Sequence, residues 1–203
     1  MTEVTPDKPF SPACERNREP ILAALRPLLA DARQVLEVGS GTGQHAVHFA
    51  AAMRWLTWQC SDRAAMLPGI RRWLAETGLA NTPPPLVLDV DAPGRPGRFD
   101  AVFTANTLHI LGWPQVERLF AWLPEVLVPG GRVVVYGPFH QDGRPTSPGN
   151  AAFDQQLRLA DPASGIRDFA AVDRLARSVG LVPHADQPMP ANNRLCAWRQ
   201  PVS

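Results

Sequence analysis

The chain has 203 residues, enough for one domain with a full core, and 45% of them are hydrophobic, as in ordinary soluble proteins. A formal net charge of +1 gives no global reason to expect nucleic acid as a partner. The three cysteines, Cys14, Cys60 and Cys196, show no metal-ligand spacing and fit a reducing compartment.

No apolar run is long enough to span a membrane, and the polar stretch Met1–Phe10 has no signal-peptide core, so a cytoplasmic protein is expected. The 22 prolines point to short, stiff connections. No repeat or linker appears, so residues 1–203 read as a single domain.

Residues Met1–Ala13 read as extended. Asn17 is the expected cap of a first helix, with Pro20 in its first turn, where a missing amide is harmless. Ile21, Leu22, Leu25, Leu28 and Leu29 share one helical face, and Pro27 should kink or end the helix locally. The charged run Glu15-Arg16-Asn17-Arg18-Glu19 is either a solvated helix start or a lid over a ligand; sequence physics favours the first.

Next comes Val35-Leu36-Glu37-Val38-Gly39-Ser40-Gly41-Thr42-Gly43-Gln44-His45-Ala46. It reads as a buried parallel strand, a glycine loop, and a helix over 44–53. The glycines let the backbone turn tightly and approach a ligand. Glu37 can accept hydrogen bonds from that ligand and repels phosphate. The spacing is G-x-G-x-G, with Gln44 where a dinucleotide fingerprint needs its third glycine, and no lysine makes a P-loop. A glycine-rich turn with no ligand is the alternative.

Leu56–Cys60 is the second strand, ending at Ser61-Asp62. Asp62 stands 25 positions after Glu37, where two carboxylate oxygens match the vicinal hydroxyls of a ribose; it could equally cap the next helix. That helix spans about 64–77 and stops at Gly78. Leu86–Val90 is the third strand. Asp89 at its tip can accept from an adenine amino group and the Val90 amide can face the ring, or Asp89 is simply a turn carboxylate.

Phe99–Asn106 is the fourth strand, continued by Thr107-Leu108-His109-Ile110. Ligands bind at this edge of open α/β sheets, so His109 is the best general-base candidate, against the alternative of a loop-bonding histidine. A helix opens at Trp113-Pro114, and Pro129-Gly130-Gly131 is a turn. Arg132–Pro138 is the fifth strand, carrying Tyr136, the only tyrosine, as second catalytic candidate. A polar loop over 140–150 and a helix over 150–160 follow, then a turn at Ile166–Phe169. Asp168 caps a helix ending before Gly180. Two closing strands form a hairpin around Pro190-Ala191-Asn192-Asn193.

The glycine loop, with Glu37, resembles the first motif of class I S-adenosylmethionine-dependent methyltransferases. Other stretches narrow the resemblance to the DUF938, or methyltransferase-like 26, subfamily. They include Phe10–Ile21, Gly39–Phe49, Trp58–Asp62, Ala105–Ile110 with Trp113, Tyr136–Phe139, Asp161-Pro162 with Gly165–Asp168, and Met189–Asn193. Cys14 departs from the small residue expected there.

The resemblance implies a Rossmann-like α/β fold with a seven-stranded, mostly parallel sheet of order 3-2-1-4-5-7-6 and a final antiparallel hairpin. Residues 1–30 would form a helical extension, and 139–170 a loop-and-helix insertion. It implies S-adenosyl-L-methionine as methyl donor, held by Glu37, Gly39, Gly41, Gly43, Asp62, Asp89, Val90 and Asn106. Arg16, Asn17, Arg18, Trp113, Asn192 and Asn193 become candidates for the acceptor or the donor carboxylate.

A small-molecule acceptor is favoured, because the fourth strand ends in Asn106-Thr107-Leu108-His109 and not Asn/Asp-Pro-Pro-Tyr/Phe. A homo-oligomer stays open. So do an idle donor-binding module acting through a protein partner, a protein or RNA acceptor, and an NAD-dependent oxidoreductase, the last opposed by the glycine spacing.

Overall fold

The computed structural model describes residues 8–202. Helix α1 spans Pro12–Leu28 and strand β1 Gln34–Val38; α2 (Gln44–Ala52), β2 (Thr57–Asp62), α3 (Leu67–Thr77) and β3 (Leu86–Val87) follow. Then come β4 (Phe99–Ala105), α4 (Trp113–Val126), β5 (Leu127–His140), α5 (Pro148–Ala160), β6 (Arg167–Asp168) and α6 (Phe169–Ser178). The chain closes with β7 (Val182–Met189), a 3-10 turn (Pro190–Asn192) and β8 (Asn193–Arg199).

The sheet runs β3-β2-β1-β4-β5-β8-β7, with the two-residue β6 beside the end of β5. This is the expected order once β6 enters the count. Pairing is parallel from β3 to β5 and antiparallel for β8 and β7.

Strand alternation divides the interior between the two sheet faces. Phe103, Trp58 and Tyr136 join Ile21 and Leu25 of α1 and Phe49 of α2 on one side. Leu36 and Val102 join Leu119, Phe120 and Leu123 of α4 and Val172 of α6 on the other. Central strands are covered on both faces, which is why β1 is buried continuously from Val35 to Val38.

Several boundaries differ from the sequence reading. Ser11, not Asn17, caps α1: its side chain accepts from the Cys14 amide and Pro12 follows at the first helical position. Pro20 therefore lies inside the helix. Helix α3 begins at Leu67 and not near 64, because residues 63–66 form a turn closed by Met66 N–H to Arg63 O. The third strand pairs only at Leu86–Val87, after which Asp89 bends the chain by accepting from the Asp91 amide.

Pro129-Gly130-Gly131 does not end a strand. It lies within β5, where the register slips between the Phe99–Leu127 and Ala101–Arg132 pairs, and Gln200 bonds to Gly130 and Gly131. Helix α5 starts at Pro148, capped by Ser147. Residues 167–168, expected as a turn, pair with Phe139 and His140. The Asp168 cap, the Gly78 stop and the terminal hairpin are as expected. Among the described residues no helix is long and apolar enough to cross a membrane.

Candidate functional site

The carboxyl ends of β1, β2, β4 and β5 lie along one edge of the sheet, where ligands sit in open α/β folds. The loop after β1 is tied to β2: Gly39 and Ser40 N–H both donate to Ser61 O at 3.0 Å. All three loop glycines have positive φ, 73°, 57° and 91°. They are needed for different reasons. A Cβ on Gly39 would stand 2.8 Å from Thr107 Oγ1, and one on Gly43 would stand 3.2 Å from Ile70 Cα. A Cβ on Gly41 would meet nothing within 4 Å, so Gly41 faces open space.

Asp62 reaches across to this loop. Its Oδ2 accepts from Gly41 N–H at 2.8 Å and its Oδ1 from Arg63 N–H at 2.7 Å. Each oxygen keeps a lone pair for a further donor such as a hydroxyl. It does not cap α3, which begins beyond Met66.

Glu37 is 2% exposed, and its Oε2 accepts from Trp58 Nε1–H at 3.1 Å. Burial raises its pKa to about 7 against the hydrogen bonds from Trp58 and Ser40. The acid that the sequence reading has repelling phosphate is thus only partly ionised near pH 7. Asp89 is a turn carboxylate, and Val90 is buried in the α4-side core. Asn106 adopts φ 57° at the tip of β4, and its amide donates to Tyr136 O at 2.8 Å.

His109 is 6% exposed and its ring stands edge-on to Phe153, centroids 5.2 Å apart. Among the described residues no hydrogen bond reaches the ring nitrogens. Burial and the charge of Arg167 lower its pKa to about 4, so the imidazole is neutral at pH 7. Its loop is pinned by Arg167, whose guanidinium donates to Leu108 O at 3.1 Å, to Ala163 O at 2.8 Å and to Leu111 O.

Tyr136 is 2% exposed; burial raises the pKa of its phenol, and Asn17 beside it acts against that rise. Asn17 also meets His45, Oδ1 to Nε2 at 2.7 Å. Arg16 is exposed, and Arg18 pairs with Glu15 at 2.7 Å. Trp113 donates to Glu117 and lines a cleft of about 330 Å³ with His140, Arg158 and Arg167. The Asn192 carbonyl accepts from Asn150, and Asn193 closes its own turn onto Pro190 O. The fold thus brings Asn17 beside Tyr136 and leaves Trp113, Asn192 and Asn193 in structural contacts of their own.

Residue-by-residue reading missed Gln44, His45 and Arg167 as participants. Gln44 accepts from Ser11 N–H at 2.5 Å and donates to Glu15 at 3.0 Å. The only signal for these three was their place inside the stretches that carry the family resemblance.

Solved structures share this architecture. The S-adenosylmethionine-dependent methyltransferase SibL is 27% identical, with a TM-score of 0.80 over 93% of this chain and 56% of its own. The mitomycin 7-O-methyltransferase MmcR is 20% identical, with a TM-score of 0.83 over 93% of this chain and 54% of its own. Human N-acetylserotonin methyltransferase is 16% identical, with a TM-score of 0.74 over 93% of this chain and 53% of its own. This chain spans little more than half the length of each. The family model for DUF938, described as a protein of unknown function, matches residues 8–200. With that match over nearly every residue described, on a class I methyltransferase fold, the chain belongs to the DUF938 family.

Proposed function

We propose that this chain transfers a methyl group from S-adenosyl-L-methionine to a hydroxyl of a small-molecule acceptor. The observation that carries the reading is the clasp between Asp62 and Gly41, which holds the open face of the glycine loop beside a half-buried carboxylate at the carboxyl edge of the sheet.

A sulfonium methyl is already activated, so the protein has mainly to position the reactants and exclude water. Gly41 gives the donor room, Asp62 offers two acceptor oxygens to a ribose, and Asp89 keeps an oxygen free of its turn bond. Glu37, with its pKa raised to about 7 when nothing is bound, can give up its proton fully to pair with an amino-acid ammonium. His109 is neutral, and no hydrogen bond from the described residues reaches its ring, the state required to take a proton from an acceptor hydroxyl. Structural neighbours that act on mitomycin and N-acetylserotonin support a small acceptor.

Calorimetric titration with S-adenosylmethionine, S-adenosylhomocysteine and NAD tests the reading. Binding of the first two alone, lost or much weakened in Asp62→Ala, is expected. Binding of NAD in their place would overturn it.

A further inference from the structure

The first two turns of α1 are held differently from the rest of the helix. Residues 12–19 bury no apolar side chain, whereas Ile21, Leu22, Ala24 and Leu25, with Leu29 just beyond, lie in the core. Pro20 stands between the two halves. It lacks the N–H that would bond to the Arg16 carbonyl, and its ring crowds that carbonyl, so the helix is weakest at this point.

The polar half is fastened only by side-chain contacts. At its start, Pro9 O accepts from Trp73 Nε1–H at 2.7 Å, and Lys8 lies over the Trp73 ring. Gly69 makes room here, since a Cβ on it would come within 2.5 Å of the Pro9 ring. Ser11 and Glu15 bond to Gln44, the residue directly after the glycine loop. Further along, Asn17 stands between His45 on α2 and Tyr136 on β5, and Glu19 faces His48 of α2 at 3.4 Å.

The directions of these bonds are consistent. His45 is neutral, and its Nδ1 faces Cys14 Sγ at 4.0 Å, so it accepts there and donates from Nε2 to Asn17 Oδ1. The Asn17 amide N–H is then left to donate to the Tyr136 oxygen.

We propose that residues 8–19 form a strap over the glycine loop that swings about Pro20, and that Asn17 is its latch, a positioning residue that closes the strap over a bound methyl donor by joining His45 to Tyr136. Opening the strap breaks polar contacts that water can replace and draws no apolar side chain of residues 12–19 out of the core. The proposal takes from the donor reading what lies beneath the strap, but not the motion itself.

Hydrogen exchange read by mass spectrometry on the full chain, with S-adenosylhomocysteine as probe, tests it. In the ligand-free protein, amides of residues 15–19 should exchange at least tenfold faster than those of 23–28, and the probe should slow them at least tenfold. Asn17→Ala should raise the dissociation rate of the probe about tenfold while shifting the melting temperature little. Tyr136→Phe, which takes the phenol from Asn17 but leaves the His45 bond, should raise that rate by less than Asn17→Ala does. Pro20→Ala restores the missing N–H and should slow exchange of 15–19 without any ligand, so the hinge is tested even if Asn17→Ala does not fold.

Equal exchange on both sides of Pro20, or a bound probe that leaves residues 15–19 unchanged, overturns the strap. An unchanged dissociation rate in Asn17→Ala overturns the latch. If the probe does not bind the wild-type protein, the donor reading fails, and the ligand-free comparison across Pro20 decides the strap by itself.

Discussion

Two buried groups at the sheet edge carry protonation states that determine what they do. Glu37 is a carboxyl whose pKa is raised in the fold to about 7. The folded state therefore binds its proton more tightly than the unfolded state does, so the stability this gives is present below about pH 4.5 and is lost as pH rises through 7. Glu37→Gln keeps an acceptor for Trp58 and cannot ionise. It should be more stable than wild type at pH 8, by up to about 3 kcal/mol, with the difference shrinking towards pH 5, as denaturant titrations at the two values would read. His109 lies at the opposite limit, neutral well below pH 7. If it takes the acceptor proton, kcat/KM should stay flat as pH falls until near pH 4, unless another group intervenes. His109→Ala should lower turnover roughly 10²–10⁴-fold with donor affinity unchanged. Unchanged turnover in that variant would remove the assignment.

At the scale of the element, the glycine loop makes three different demands in five residues. Gly41 needs only its positive φ, because no atom stands near its missing Cβ. Gly41→Ala should fold with a loss of about 1–2 kcal/mol, the strain of a left-handed alanine, and yet lose donor affinity where the methyl projects into the open space. Gly39→Ala and Gly43→Ala add a close contact to the same strain, with Thr107 and with the α3 backbone, and should be less stable than Gly41→Ala by thermal melting. A Gly41→Ala protein that binds S-adenosylhomocysteine as wild type does would show that the open space is not the donor's.

At the scale of the whole molecule, the strands at the site belong to a continuous sheet with packed cores on both faces, so a ligand at its edge stabilises the entire fold. S-adenosylhomocysteine at 100 times its Kd should contribute about 2.7 kcal/mol. For a chain of this length, that raises Tm by roughly 5–10 °C. Asp62→Ala should melt near the ligand-free temperature whether or not the compound is present. The strap adds a difference between regions, since residues 8–19 cross from α3 to β5 on polar contacts while the rest of α1 is anchored by apolar burial.

Local pattern alone determined the strand, loop and helix around Gly39–Gly43, the Asp168 and Gly78 helix ends, and the terminal hairpin. Each depends on neighbours within a few residues, through a backbone angle, a cap or alternating burial. The sheet order followed from resemblance across the whole length, not from any one motif. Tertiary structure decided what sequence spacing cannot carry. Asn17 is not a cap, because Ser11-Pro12 starts the helix two turns earlier and places Asn17 against His45 and Tyr136, 28 and 119 residues away. Glu37 is only partly ionised near pH 7, because β1 lies between β2 and β4 and is covered on both faces, and burial there penalises the ionised form. Residue type and spacing specify which groups are present; the dielectric around them and their distant partners exist only once the sheet has formed.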